Sequence, residues 1–202
     1  MTAILVYCRI MRIIAGKKRG MKLLGPSSEI SRPILDRVKE SIFDVLYKYD
    51  VPDGKMVADL FCGVGSFGLE SLSRGAIFVN FVEKDRKIAS ILEKNIAKAD
   101  FLQETKVLRG NAFKIGAPFD EEKYDLVFVD PPYPLTREVG VGSQLAGLME
   151  ILVGQVKEDG LVVVRTEKHV ELEDAYGRLE VIDRRRWGTM NVAILQLAPA
   201  PI

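Results

Sequence analysis

At 202 residues, 48% hydrophobic and 28% charged, the chain carries enough apolar side chains for one substantial core plus a small appendage. One histidine, His169, and two distant cysteines, Cys8 and Cys62, argue against zinc, so no metal is expected, and a reduced cytoplasmic setting fits. A net charge of +1 gives no global pull on nucleic acid, yet residues 9–39 hold nine basic side chains against two acidic ones, a net of +7.

Residues 3–8 are apolar but too short to span a membrane, and no basic leader precedes them. Residues 10–24 alternate around Gly16-Lys17-Lys18-Arg19-Gly20, which predicts a basic β-hairpin or extended arm. A turn is expected at Gly25-Pro26-Ser27-Ser28. Residues 34–50 place Val38, Ile42, Val45, Leu46 and Tyr49 on one helical face, and Pro52-Asp53-Gly54 ends that helix. From Lys55 onward, strands are expected at 56–60, 77–83, 105–109, 124–129, 161–166, 178–186 and 190–197, with helices at 66–74, 85–99 and 143–157. Such alternation specifies a mostly parallel, seven-stranded α/β sheet with helices on both faces. The last two strands lack an intervening helix and are free to pair antiparallel. Arg184-Arg185-Arg186-Trp187 forms a second, weaker basic cluster, of a kind that often only solubilises a strand edge.

Two motifs carry chemistry. The first, Asp59-Leu60-Phe61-Cys62-Gly63-Val64-Gly65-Ser66-Phe67-Gly68, lies between the first strand and a helix. Its glycines let the backbone turn sharply and approach a ligand. Their G-x-G-x-x-G spacing alone is a weak signal. The next strand ends at Glu83, where a carboxylate can accept from two ribose hydroxyls of either NAD or S-adenosylmethionine. Asp59, ahead of the glycines, separates the two, because S-adenosylmethionine carries an ammonium group to neutralise. A dinucleotide would need a pyrophosphate site at the helix N-terminus. A plainer reading makes Glu83 a solvated strand end paired with Lys84 or Arg86.

The second motif is Asp130-Pro131-Pro132-Tyr133, after the apolar run Tyr124-Asp125-Leu126-Val127-Phe128-Val129. Each proline fixes its own φ and restricts the residue before it, so the segment forms a rigid shelf at a strand edge. The Asp130 carboxylate and the Pro131 carbonyl can converge on one amino group while Tyr133 lies against a planar ring. That arrangement suits methyl transfer to an exocyclic amine of a base, although an ordinary turn has the same composition. The two motifs share one cleft if their strands flank the point where strand order reverses.

With these residues in view, the chain resembles the RsmD-type bacterial methyltransferases that modify guanine N2 in 16S ribosomal RNA. The resemblance starts at Met11-Arg12-Ile13-Ile14-Ala15-Gly16 and runs nearly to the end. It includes Arg32-Pro33, Asp36-Arg37-Val38, Asp59-Leu60-Phe61, Glu83, Asn95 and Asp130-Pro131-Pro132-Tyr133. It implies a Rossmann-like class I S-adenosylmethionine-dependent fold. It also implies an extension at 1–10, a basic hairpin and helix at 11–50 that touch RNA, and a methyltransferase domain at 51–202. The cofactor residues it implies are Asp59, Phe61, Gly63, Gly65, Glu83, Lys84, Asn111 and Ala112. Asp130, Pro131, Pro132 and Tyr133 are implied to be catalytic, and Arg12, Lys17, Lys18, Arg19, Arg32 and Arg37 to contact RNA. The chain is expected to act as a monomer on an assembled small ribosomal subunit. It departs from the family at Asn111, where Asp is usual, and fits it loosely at Trp187-Gly188-Thr189-Met190-Asn191. Competing readings are an adenine-N6 methyltransferase, an NAD-dependent oxidoreductase and a noncatalytic RNA-binding protein.

Overall fold

A computed structural model describes residues 11–26, 34–118 and 122–199. Arg32 and the expected extension at 1–10 lie outside the described residues. In chain order the elements are α1 (Asp36–Leu46), β1 (Met56–Leu60), α2 (Ser66–Ser73), β2 (Phe78–Glu83), α3 (Arg86–Ala99), β3 (Thr105–Arg109), α4 (Ala112–Ile115), β4 (Tyr124–Val129), α5 (Gln144–Gln155), β5 (Val156–Glu167), β6 (Ala175–Tyr176), β7 (Leu179–Trp187) and β8 (Met190–Leu197). They form one eight-stranded sheet in the order β3-β2-β1-β4-β5-β8-β7-β6. β1 to β5 run parallel, and β8, β7 and β6 add antiparallel. β4 is buried along its whole length, its apolar run Leu126–Val129 covered on both faces and its one charge, Asp125, paired with Lys157.

The expected seven strands become eight because Ala175 and Tyr176 pair with Glu180 and Leu179. Two residues are too few to show a period. β5 starts at Val156, earlier than expected, because Val156 pairs with Tyr124 before the register shifts to Leu126↔Leu161. Gly160 passes this irregularity so closely that a Cβ there would sit 2.6 Å from the Tyr124 carbonyl oxygen. The first helix stops at Leu46 and tightens into a 3-10 turn at Tyr47–Tyr49, with Asp50 left-handed at φ 55°.

The segment at 11–26 is a hairpin, bridged at Arg12↔Lys22, and it is docked against α2 and α3 rather than extended as an arm. Ile13 and Leu23 are buried in the same apolar cluster as Phe43, Leu69, Phe81 and Phe128, so packing runs across residue 50 without a break. The polar lock is Glu70. Its Oε2 accepts from the Ile14 N–H at 2.8 Å and its Oε1 from the Ala15 N–H at 3.0 Å. Lys39 Nζ lies 3.1 Å and Arg74 Nε 2.8 Å from the same carboxylate. Ser73 completes the seam, its carbonyl accepting from the Lys17 N–H and its Oγ from the Lys18 N–H. Only glycine fits at position 16, where φ is +79° and a Cβ would meet the Ser73 oxygen at 1.7 Å. No helix among the described residues is long and apolar enough to cross a membrane.

Candidate active site

β1 sits between β2 and β4, so strand order reverses there and the C-terminal ends of β1 and β4 open onto a crevice. A cavity of about 670 Å³ fills it, within the usual range for a small-molecule site. Asp59, Phe61, Gly63, Glu83, Lys84, Ala112, Asp130, Pro131, Pro132 and Tyr133 all line it. Two motifs separated by about seventy residues of sequence therefore share one wall.

The loop after β1 is conformationally unusual. Phe61, Gly63 and Gly65 all have positive φ, at 57°, 56° and 92°. A left-handed phenylalanine is uncommon and is held by its ring contact with Phe113, 4.7 Å between centroids. Gly65 lies behind the wall, where a Cβ would meet Leu92 Cδ1 at 2.5 Å, and it introduces α2.

Asp59 is buried, and its Oδ2 accepts from the Gly68 N–H at 2.8 Å. Its Oδ1 has no hydrogen-bond partner among the described residues. Burial pushes this carboxyl up to about 8, against the Gly68 hydrogen bond and helped by the like charges of Asp130 and Glu83. The site thus holds a carboxylate oxygen awaiting a donor. Glu83 shapes the loop directly, accepting from the Gly63 N–H at 3.0 Å and the Asp85 N–H at 2.8 Å. No ion pair to Lys84 or Arg86 occurs among the described residues, and each oxygen keeps a second lone pair for a hydroxyl. Asn111 behaves differently from expectation. Its Oδ1 caps α4 by accepting from the Phe113 N–H at 3.1 Å, and its side chain is not part of the cavity wall.

At the second motif the Asp130 N–H reaches the Leu60 carbonyl at 3.4 Å, tying the two strand ends together. Tyr133 opens a 3-10 turn, Tyr133–Thr136, which Thr136 Oγ1 closes by donating to the Tyr133 carbonyl. Asp130 Oδ1 accepts from Arg165 Nε at 2.6 Å. Burial raises the Asp130 carboxyl above its ordinary range, and Arg165 opposes the rise. Arg165 is the site residue that sequence reading missed. The available signal was a cation closing the apolar run Leu161–Val164 within β5.

The expected RNA contacts lie elsewhere. Arg12 is held by Asp36 at 2.6 Å, Lys18 Nζ sits 5.6 Å above the Phe101 ring, and Lys17, Arg19 and Arg37 are exposed. None of these five lines the cavity. Arg184, Arg185 and Arg186 pair with Asp174, Asp183 and Glu171, which neutralises the second basic cluster.

The family described as conserved hypothetical protein 95 matches residues 11–196, and ribosomal RNA small subunit methyltransferase D of Haemophilus influenzae is 36% identical over 160 residues, covering 78% of this chain and 79% of that one. The chain belongs to this RsmD-type family. The match begins where the RsmD resemblance does, at Met11. Among RsmD-type relatives, YlbH of Bacillus subtilis is 33% identical over 186 residues, 91% of this chain and 97% of that protein. The solved structure of yhhF from Escherichia coli superposes with a TM-score of 0.76 at 30% identity, covering 92% of this chain and 97% of the other.

Proposed function

We propose that this chain transfers a methyl group from S-adenosylmethionine to the exocyclic N2 amine of a guanine in 16S ribosomal RNA, acting in the cytoplasm as a monomer on the small ribosomal subunit. One observation carries the reading. A single cleft joins an orphaned buried carboxylate oxygen on Asp59, a glycine turn braced by Glu83, and the rigid shelf from Asp130 to Tyr133. The relative from Haemophilus influenzae, named for small-subunit ribosomal RNA, supports the substrate class.

These residues fit the cofactor. Asp59 Oδ1 takes its ammonium, Glu83 its ribose hydroxyls, and Phe61, Lys84 and Ala112 close around the remainder. Gly63 lets the backbone approach, and Gly65 makes the turn into α2 behind it. Asn111 caps α4 and does not line the cavity, so the adenine amino group is left to other groups on the wall. S-adenosylmethionine supplies a methyl group already activated on a sulfonium.

The protein's task is then placement. Asp130 and the Pro131 carbonyl accept the two amine hydrogens, turning the nitrogen lone pair away from the ring and stabilising the positive charge that develops on it. Asp130 is also placed to take the departing proton. Pro132 fixes the shelf, and Tyr133 stacks on the base, a contact worth ~1–3 kcal/mol. The base must be unpaired or flipped out to enter. Arg12, Lys17, Lys18, Arg19 and Arg37, which lie outside the cleft on the hairpin and α1, hold phosphates of the same RNA.

The decisive experiment supplies purified protein with labelled S-adenosylmethionine and small subunits from a strain lacking its gene, then identifies methylated nucleosides by mass spectrometry. N2-methylguanosine in 16S ribosomal RNA is the expected product. N6-methyladenosine would replace the base assignment. Tight NAD binding without methyl transfer would overturn the reading entirely.

A further inference from the structure

Asp130 and Arg165 follow directly after the last register pair of β4 and β5, Val129↔Val164. The two side chains therefore emerge side by side, beyond the end of the ladder and inside the cleft. Their contact is short, 2.6 Å between Nε and Oδ1, and both are mostly buried, with 12% of the Arg165 and 19% of the Asp130 side chain exposed. A pair so placed has little left to do for the sheet. The strands are already joined from Leu126↔Leu161 to Val129↔Val164, and the ion pair adds nothing to that register.

We propose that Arg165 is a positioning residue for methyl transfer, holding Asp130 as an oriented carboxylate with one oxygen left for the acceptor amine. This rests on the reading of Asp130 given above. Two physical consequences follow from the contact. A guanidinium N–H directed at Oδ1 fixes the plane of the carboxylate, so Oδ2 has one direction in which to meet an amine hydrogen. The cation also opposes protonation. Asp130 shares its cleft with four other carboxylates, Asp59 on β1, Glu83 on β2, Asp85 just after it and Glu167 on β5, while Arg137 and Lys84 are the other cations lining it. Burial favours the neutral acid, and a protonated Asp130 would lose an acceptor where the reaction needs one. Arg165 is the only one of these cations bonded to Asp130 among the described residues.

The test compares Arg165→Gln, Arg165→Lys and Asp130→Ala with the parent protein, using small subunits lacking the modification. Arg165→Gln should lower kcat by about 10²-fold, the scale of a misplaced reacting group. It should leave S-adenosylmethionine affinity by calorimetry within a few fold of the parent. Its kcat–pH profile should move its acidic limb to higher pH, because the carboxylate has lost the charge that keeps it ionised. Arg165→Lys should return the limb towards its original position while recovering only part of kcat, since an ammonium keeps the charge but not the planar fork. If the Gln variant does not fold, the Lys variant alone decides, and full parental kcat in it would overturn orientation by Arg165. An Arg165→Gln protein with parental kcat and an unmoved limb would overturn the proposal while Asp130→Ala remained inactive. Full activity in Asp130→Ala would instead overturn the assignment of Asp130 itself.

Discussion

If the orphaned Asp59 oxygen receives the cofactor's ammonium, binding must be linked to a proton. In the free protein this carboxyl titrates near 8, raised chiefly by burial. At pH 7 such a group is about nine-tenths protonated, whereas an α-amino group with an ordinary value of about 7.7–8.0 is mostly charged. Forming the ion pair therefore expels close to one proton per cofactor bound. Affinity should rise roughly eightfold from pH 6 to pH 7, about 1.2 kcal/mol, peak near pH 8 and fall above it as the cofactor's own ammonium loses its proton. The sign is opposite for the free protein's stability. The raised carboxyl contributes stability that is complete below about 4 and lost as pH rises through about 8, so cofactor should protect most near pH 8. Titration calorimetry in two buffers of different ionisation enthalpy counts the released proton. 5′-Methylthioadenosine, which lacks the amino-acid moiety, should bind without that linkage, and Asp59→Asn should abolish it. Equal heats in both buffers, with a dissociation constant flat in pH, would show that Asp59 does not hold the ammonium.

Asp130→Ala should cut turnover by ~10²–10⁴-fold with cofactor affinity nearly intact, and unchanged single-turnover rates would make the shelf structural. Replacing Lys17, Lys18 and Arg19 with serine should weaken RNA binding irrespective of sequence and lower the log–log salt slope by roughly 0.7–0.9 per lost phosphate contact; the docking bonds are made by backbone amides, so the hairpin stays in place. An unaltered slope would limit these residues to solvating the hairpin tip. Glu70→Ala strands the Lys39 and Arg74 charges in a buried site and should cost about 3–5 kcal/mol in urea unfolding. A loss below about 1 kcal/mol would mean that Ile13 and Leu23 hold the hairpin by apolar contact alone.

The parallel core was readable because its strands are short apolar or alternating runs set off by glycine- or proline-bearing segments, and β1, β3 and β4 fall on the expected residues. The cleft was readable because its two motifs sit at strand ends and the topology had to bring those ends together. What escaped was whatever depends on a partner far along the chain. Glu70 looks like any helical glutamate until the hairpin, more than fifty residues earlier, presents two amides to it. Arg165 gains its meaning only when β5 is laid beside β4. Asn111 was read as a ligand group although it stands immediately before a helical turn, where asparagine caps. The basic run from Arg184 to Arg186 carried charge in sequence, and neighbouring carboxylates remove it in space.

One short helix joins the two ends of the molecule's work. Gly68, in the first half of α2, donates to Asp59 in the cofactor cleft, while Glu70 and Ser73, towards its far end, hold the hairpin. Eight residues of α-helix measure about 12 Å. If the hairpin grips a phosphate, the span from it to a base entering the cleft would be set by a ruler rather than a tether. A limp single strand would have to be straightened against that ruler at its own entropic expense. An RNA already folded to the matching length would not, and the chain would then gauge tertiary shape as much as read sequence.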